Sequence, residues 1–185
     1  MDMSDSRTIA APRDVVWAAL NDTEALKASI PGCESIERIS DTELKAKVTL
    51  KIGPVKASFT GAVTLSDIDP PNGYTISGEG SGGAAGHAKG GAVVRLEEAG
   101  EETILHYDVK AQVGGKIAQL GGRLIDSTAK KLAGQFFDNF SNVVAPPPAE
   151  EGAAEEAKKG WLGKVFGKKD GKKDGKQGGE GGQPA

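Results

Sequence analysis

Few residues of this chain are of types that do chemistry, and their spacing decides whether any act together. The 185 residues hold one cysteine, Cys33, and two histidines, His87 and His106. A lone cysteine forms no internal disulfide and excludes a zinc site built from several thiolates. Cys33 follows Pro31-Gly32 at the end of a helical stretch and has no histidine partner, so it reads as a structural thiol. His106 is out of phase with Leu105 and Tyr107, which puts it and Asp108 on a wet strand face; His87 lies among glycines. Such a pair is ordinary surface chemistry, whereas catalysis needs an acid and a base or nucleophile converging on one site. Asp67 and Asp69 flank a turn but lack the further acidic ligands of a calcium loop. Gly78-Glu79-Gly80-Ser81-Gly82-Gly83 has the G-x-G-x-x-G spacing, yet strand-like sequence follows where a phosphate-binding helix would have to begin. These residues supply no catalytic centre and no metal site.

A second group is chemically distinctive through its surface. Lys158-Lys159-Gly160-Trp161-Leu162-Gly163-Lys164-Val165-Phe166-Gly167-Lys168-Lys169 places four large apolar residues inside a lysine cluster. In a helix, Trp161 and Val165 share a face, as do Leu162 and Phe166. Residues 158–176 carry eight lysines and two aspartates, a net +6. Trp161, Leu162, Val165 and Phe166 suit insertion at a membrane interface, with Lys164, Lys168 and Lys169 at anionic headgroups. A docking motif for a partner protein and a solubilising tail are the other readings. The overall charge of −3 argues against general nucleic-acid binding.

The elements that must position these residues divide near residue 145. Pro146-Pro147-Pro148 stops the preceding helix, and the composition changes beyond it. Residues 1–145 are expected to form one domain, 146–160 a Pro/Glu-rich linker, 161–169 the amphipathic segment, and 170–185 a disordered Gly/Lys-rich tail. No stretch nears the ~20 apolar residues of a membrane span, and the N-terminus lacks an apolar signal core, so the expected compartment is the cytoplasm.

Within the first 145 residues, Thr8-Ile9-Ala10 marks the end of a short strand. Pro12 opens a helix through Val15, Val16, Ala19 and Leu20, and Asp22 or Thr23 caps a second that ends at Pro31-Gly32. Leu44 to Ile52 and Val55 to Leu65 alternate apolar with polar residues and read as half-buried strands joined at Gly53-Pro54. Strands beginning at Tyr74, around Ala92–Leu96, and over Leu105–Val113 complete an antiparallel meander. From Ile117 the spacing becomes three or four through Leu120, Leu124, Thr128, Leu132, Phe136, Phe140 and Val143, predicting one amphipathic helix of roughly 28 residues. Gly121-Gly122 inside it implies close packing, a later helix start, or a gap that opens a cavity. Seven glycines crowd 78–91, either as bends and close approaches in two strands or as a thin wall beside a cavity. The fold class is therefore α+β, with a gap between bent sheet and helix where a small apolar ligand would sit.

Ile9-Ala10-Ala11-Pro12-Arg13-Asp14-Val15-Val16-Trp17, Ser29-Ile30-Pro31-Gly32-Cys33-Glu34 and the run Val48 to Gly61 resemble the CoxG family of carbon monoxide dehydrogenase proteins, within the START/Bet v1-like helix-grip superfamily. The resemblance covers roughly residues 3–145. It implies a curved antiparallel sheet wrapped around a long C-terminal helix and an apolar pocket. It implies a non-catalytic accessory protein of aerobic carbon monoxide dehydrogenase or a related molybdenum hydroxylase, peripheral on the inner face of the cell membrane. Flavin, molybdenum and iron–sulfur chemistry is expected in the partner, since this chain lacks the ligands and no covalent or metal cofactor is expected in it. Pocket and membrane-seeking tail in one chain suggest a lipophilic ligand, a respiratory quinone such as menaquinone, taken from the bilayer and offered to the dehydrogenase.

By parity, Val48, Leu50, Phe59, Val63, Tyr74, Ile76, Val94, Leu105, Tyr107 and Val109 form the sheet side of core and pocket. Ile117, Leu120, Gly121, Leu124, Leu132 and Phe136 form the helix side. Three function classes stand at this point: a lipophilic-ligand carrier serving a redox enzyme, a membrane-recruitment or assembly factor without ligand transport, and an enzyme. The last requires polar groups converging in the pocket, where Tyr74 and Tyr107 are the only handles.

Overall fold

The alternation through residues 44–65 makes a long hairpin, and the rest of the sheet is built outward from it. A computed structural model describes residues 1–145, which form one compact unit. In chain order the elements are β1 (Asp2–Ile9), α1 (Arg13–Leu20), α2 (Thr23–Ser29), β2 (Cys33–Arg38), β3 (Glu43–Ile52) and β4 (Val55–Asp69). Then come β5 (Gly73–Ser81), β6 (His87–Ala99), β7 (Glu102–Gly114) and α3 (Gly122–Val144). The seven strands form one curved antiparallel sheet in the order β1-β7-β6-β5-β4-β3-β2. One long C-terminal helix on such a sheet is the expected α+β helix-grip architecture.

The two strands that alternation misjudges are the two edges. β1 ends where expected, at Ile9, but is longer than expected: eight residues paired in register with β7, from Asp2 opposite Lys110 to Ile9 opposite Thr103. β2 pairs with β3 through Ile36 opposite Ala46, where alternation predicts no strand. Edge strands have one partner and much solvent contact, so backbone pairing can hold them without an apolar stripe.

The helix begins later than its periodicity predicts. Gly115–Leu120 is a 3₁₀ segment, and α3 starts at Gly122, giving 23 residues, or about 35 Å at 1.5 Å per residue. Gly121 has φ of +94°, a conformation side chains resist, and a Cβ there would meet nothing within 4 Å. Of the three readings of this glycine pair, the break in the helix is the one observed. Close packing does not explain Gly121.

Side chains fill only one end of the sheet's inner face. Leu44, Leu65, Tyr74, Val94, Leu96, Leu105 and Tyr107 pack there against Val16 and Leu20 of α1 and Phe137 and Phe140 of α3. Phe140 and Ile9 are wholly buried. The C-terminal half of α3 is tied down at this end. The Arg7 guanidinium donates to Asp138 at 2.7 Å, the Tyr107 and Phe137 rings stack at 4.9 Å, and the Asn139 amide donates to the Ser29 carbonyl at 3.1 Å. The N-terminal half of α3 contributes no fully buried residue.

Candidate functional site

Cross-strand register explains where the sheet and α3 fail to meet. One inward-facing row runs Ala46, Gly61, Gly80, Ala88, Val113 across five strands. The next runs Leu44, Val63, Gly78, Gly90, Ala111. Glycines and alanines at consecutive positions of such rows leave the inner face almost bare, and the volume that side chains would occupy stays empty. Above these rows lies a cavity of about 600 Å³, open to solvent, roofed by Leu132, Ala133 and Phe136 of α3 and by Ile117 of the 3₁₀ segment.

Its lining is almost entirely apolar. The ionisable residues at its wall, Glu79, Lys89 and Lys110, have outward parity on their strands and present backbone, so no charged side chain faces inward. A smaller pocket of about 220 Å³ shares Ile30, Ala46, Val63, Ile76 and Phe136 with the larger one. It extends the apolar space toward the core.

Of the sixteen residues expected at the pocket, nine line the larger cavity: Val48, Leu50, Phe59, Val63, Ile76, Val109, Ile117, Leu132 and Phe136. Tyr74, Val94 and Leu105 line the smaller pocket and not the larger cavity. Tyr107 is core, stacked on Phe137. Leu120, Gly121 and Leu124 line neither, because the chain breaks at Gly121 and turns the first residues of α3 aside; Leu124 abuts Gly53 at the tip of the β3–β4 hairpin. Sequence reasoning missed Ile30, Pro31, Ala46, Ile52, Ala88, Ala92, Ala111, Val113 and Ala133, with Gly61, Gly78, Gly80, Gly90 and Gly91. The signal was available in the same alternation: small residues at inward positions mark where the volume is missing. For the glycine run 78–91, both readings hold together. A Cβ on Gly90 would collide with the Lys110 carbonyl, which is a close approach, and the same residue lines the cavity. The residues Trp161, Leu162, Lys164, Val165, Phe166, Lys168 and Lys169 lie outside the described residues.

The polar handles near this space are engaged elsewhere. Burial pushes the Tyr74 phenol up to about 12, against a weak opposing pull from Arg38, and its hydroxyl donates to the Leu20 carbonyl at 3.1 Å. Burial likewise raises the Tyr107 phenol; Asp5 adds to the effect and Arg7 opposes it. The Thr103 hydroxyl, fully buried, donates to the Ala11 carbonyl at 2.8 Å. Cys33 donates to the Ser35 carbonyl at 3.4 Å, and burial raises its thiol, the wrong direction for a nucleophile. His106 pairs with Glu97 at 2.9 Å on the outer face, and His87 is exposed. Among the described residues, no cluster of three or more His, Cys, Asp or Glu could hold a metal ion. No described helix is long and apolar enough to cross a membrane. The arrangement is chemically suited to enclosing an apolar molecule.

Comparison with known proteins agrees with this geometry. The family model for CoxG, a carbon monoxide dehydrogenase component, matches residues 6–145. A conserved protein from Geobacillus kaustophilus has a similar structure at 32% identity and a TM-score of 0.75, covering 78% of this chain and 95% of its own. A START superfamily protein from Mycobacterium smegmatis shares the fold at 15% identity and TM-score 0.60, with 77% and 96% covered. So does the Zhui aromatase/cyclase from Streptomyces sp. R1128, at 14% identity and TM-score 0.54, with 78% and 93% covered. No curated protein matches the chain.

Proposed function

This chain belongs to the CoxG family of carbon monoxide dehydrogenase proteins, and from that premise and the bare inner face of the sheet we propose that it is a non-catalytic carrier of a lipophilic ligand. The family implies an accessory role beside carbon monoxide dehydrogenase. The cavity supplies the manner: about 600 Å³ lies within the usual range for small-molecule sites. A respiratory quinone such as menaquinone fits the chemistry, because an isoprenoid chain needs apolar walls and makes no demand for charged partners. In this reading the domain takes the quinone from the bilayer and presents it to the dehydrogenase, which reduces it with two electrons and two protons. The segment 161–169 would hold the carrier at the inner face of the membrane through Trp161, Leu162, Val165 and Phe166.

The carrying observation is the pair of glycine- and alanine-rich rows beneath an apolar roof, with no charged side chain directed into the cavity. The fold also occurs in an aromatase/cyclase, but acid–base chemistry needs titratable groups at the reacting atoms. Here Tyr74, whose hydroxyl is committed to Leu20, is the titratable side chain in the pocket nearest the core, beside the aliphatic stem of Arg38.

The test is direct. Full-length protein purified from membranes is analysed by native mass spectrometry and organic extraction. The expected result is about one isoprenoid quinone per chain, together with faster quinone reduction by the dehydrogenase when the protein is added. Protein free of any lipophilic ligand, with an unchanged reduction rate, would sink the carrier and leave a recruitment factor. Turnover of a soluble aromatic substrate would make it an enzyme.

A further inference from the structure

A meander sends its connections alternately to two ends of the sheet, and here the two ends carry opposite charge. At one end lie residues 10–14, where the connection after β1 begins, and residues 39–43, 67–72 and 97–102, the turns after β2, β4 and β6 with their flanking strand ends. They hold nine acidic residues and one base, Arg13. At the other end lie residues 51–56, 82–86 and 115–123, the connections after β3, β5 and β7. They hold four bases, Lys51, Lys56, Lys116 and Arg123, and no acid. All four are exposed, and none forms an ion pair with another described residue. The positive end of the α3 dipole points the same way.

The cavity approaches this basic end. Ile52 and Ile117, which line it, belong to the same two connections as Lys51 and Lys116. Pro54 is exposed, and Val55, Leu120 and Leu124 are partly exposed between the cations. Apolar surface thus lies among four cations that have no ion-pair partner among the described residues, at the end of the cavity lined by Ile52 and Ile117.

We propose that this end of the domain is a docking surface for an anionic lipid bilayer, so that the cavity mouth meets the acyl layer. It rests on the carrier reading, which gives the mouth its reason to face lipid. An acidic protein would satisfy the cations but offer nothing to the apolar centre; a bilayer with anionic headgroups satisfies both. Residues 1–145 carry 15 bases and 19 acids, so unsegregated charge would repel the domain from such a surface. Segregation reverses this locally, because at physiological salt a headgroup feels charges within about 8 Å. The nine acids at the far end face the solvent, which fixes the orientation. This surface is built from residues of 1–145 alone and would orient the domain whatever anchors it.

The experiment uses the full chain with Cys33→Ser and one new cysteine carrying an environment-sensitive NBD fluorophore, at Gln119→Cys on the basic end or Glu101→Cys on the acidic end. Vesicles are phosphatidylcholine alone or with 30% phosphatidylglycerol, and polyglutamate serves as a non-lipid polyanion. The expected result is a blue shift and brightening at 119 with phosphatidylglycerol vesicles only, and no change at 101. Replacing three cations, Lys51→Gln, Lys56→Gln and Arg123→Gln, should weaken partition to these vesicles on the order of 100-fold, at about 5-fold per charge. The proposal is overturned if label 119 stays in water while the chain floats with vesicles, if the chain does not bind them, if the triple variant binds unchanged, or if polyglutamate gives the same response, which would indicate a protein partner. Quinone content of the same preparations separates the two readings. Docking without quinone refutes the carrier alone, and quinone without a response at 119 refutes the docking alone.

Discussion

Two glycines of the bare rows should respond to substitution with opposite sign. Gly80 has ordinary φ, and a Cβ built on it meets nothing nearer than the Thr60 carbonyl at 3.8 Å and Gly61 Cα at 3.9 Å. Its cross-strand neighbours are Gly61 and Ala88, so a larger side chain would extend into the cavity. Gly80→Leu therefore buries an apolar side chain without displacing backbone. Full burial is worth about 1.5–3 kcal/mol, and removing a strand glycine adds about 0.5–1 kcal/mol. The leucine will be only partly enclosed, so a net gain of about 1–2 kcal/mol is expected. At about 3 °C per kcal/mol for a domain of this size, the ligand-free Tm should rise by about 3–6 °C. Ligand retention should fall in the same variant, since the side chain occupies the ligand's space. Gly90→Ala is the contrast: its Cβ runs into the Lys110 carbonyl, and the backbone must shift, at about 2 kcal/mol or more. Calorimetry of ligand-free protein and quantification of extracted ligand read both variants. If Gly80→Leu destabilises ligand-free protein as overpacking would, or leaves ligand stoichiometry unchanged, this cavity is not the binding space.

Three further outcomes follow from individual residues. Gly121→Ala forces a side chain into φ of +94° and should cost about 1–2 kcal/mol in thermal stability although nothing crowds the site. Tyr74→Phe should cost about 1 kcal/mol by deleting the bond to Leu20, with ligand retention unaltered. The same residue sets a pH dependence: its folded pKa, about 12, lies above the unfolded value near 10, so its contribution is complete below pH 10 and is lost as pH rises from 10 toward 12. Chemical denaturation across that window should show wild-type stability falling by up to about 1.4 kcal/mol per unit relative to Tyr74→Phe. Finally, Trp161→Ser with Phe166→Ser should reduce flotation of the full chain with anionic vesicles, and unaltered flotation would remove residues 161–169 as the anchor.

The central strands are legible because each has two neighbours and one buried face, which forces alternation of the kind seen in Leu44–Ile52. β2 is not, and β1 only at its end near Ile9, because an edge strand needs only half a ladder and tolerates sequences such as Asp2–Thr8. Periodicity misplaces the helix start because Ile117 and Leu120 keep helical spacing although Gly115 and Gly121, both at positive φ, break the chain around them. In the site, parity names the large residues correctly as inward-facing, but it cannot divide them between core and cavity. That division depends on which residues lie opposite one another. Tyr74 faces Val94, two side chains that meet and fill space, whereas Gly78 faces Gly90 and leaves it open. Register is a property of pairs of strands, and no single strand's pattern contains it.

The division of the inner face has an energetic consequence. Every vacated position in the rows through Gly61 and Gly78 forgoes burial that a leucine or valine would supply, and close-packed interiors normally do not forgo it. The filled end, with Phe137, Phe140, Leu105 and Ile9, must then stabilise the whole unit, and the Arg7–Asp138 pair and Asn139 fasten α3 only there. The hollow end is held mainly by strand pairing and by Leu124 against the hairpin tip. A ligand that fills the hollow restores the missing contacts and binds only the folded chain, so it should raise stability by about 2.7 kcal/mol at a hundred times its Kd. That gain should appear first as slower amide exchange in Gly122–Ala133 and in the β3–β4 hairpin, while Phe137–Phe140 stay unchanged. Uniform protection across α3 would mean that the helix responds as one body and that its two halves are not separately anchored.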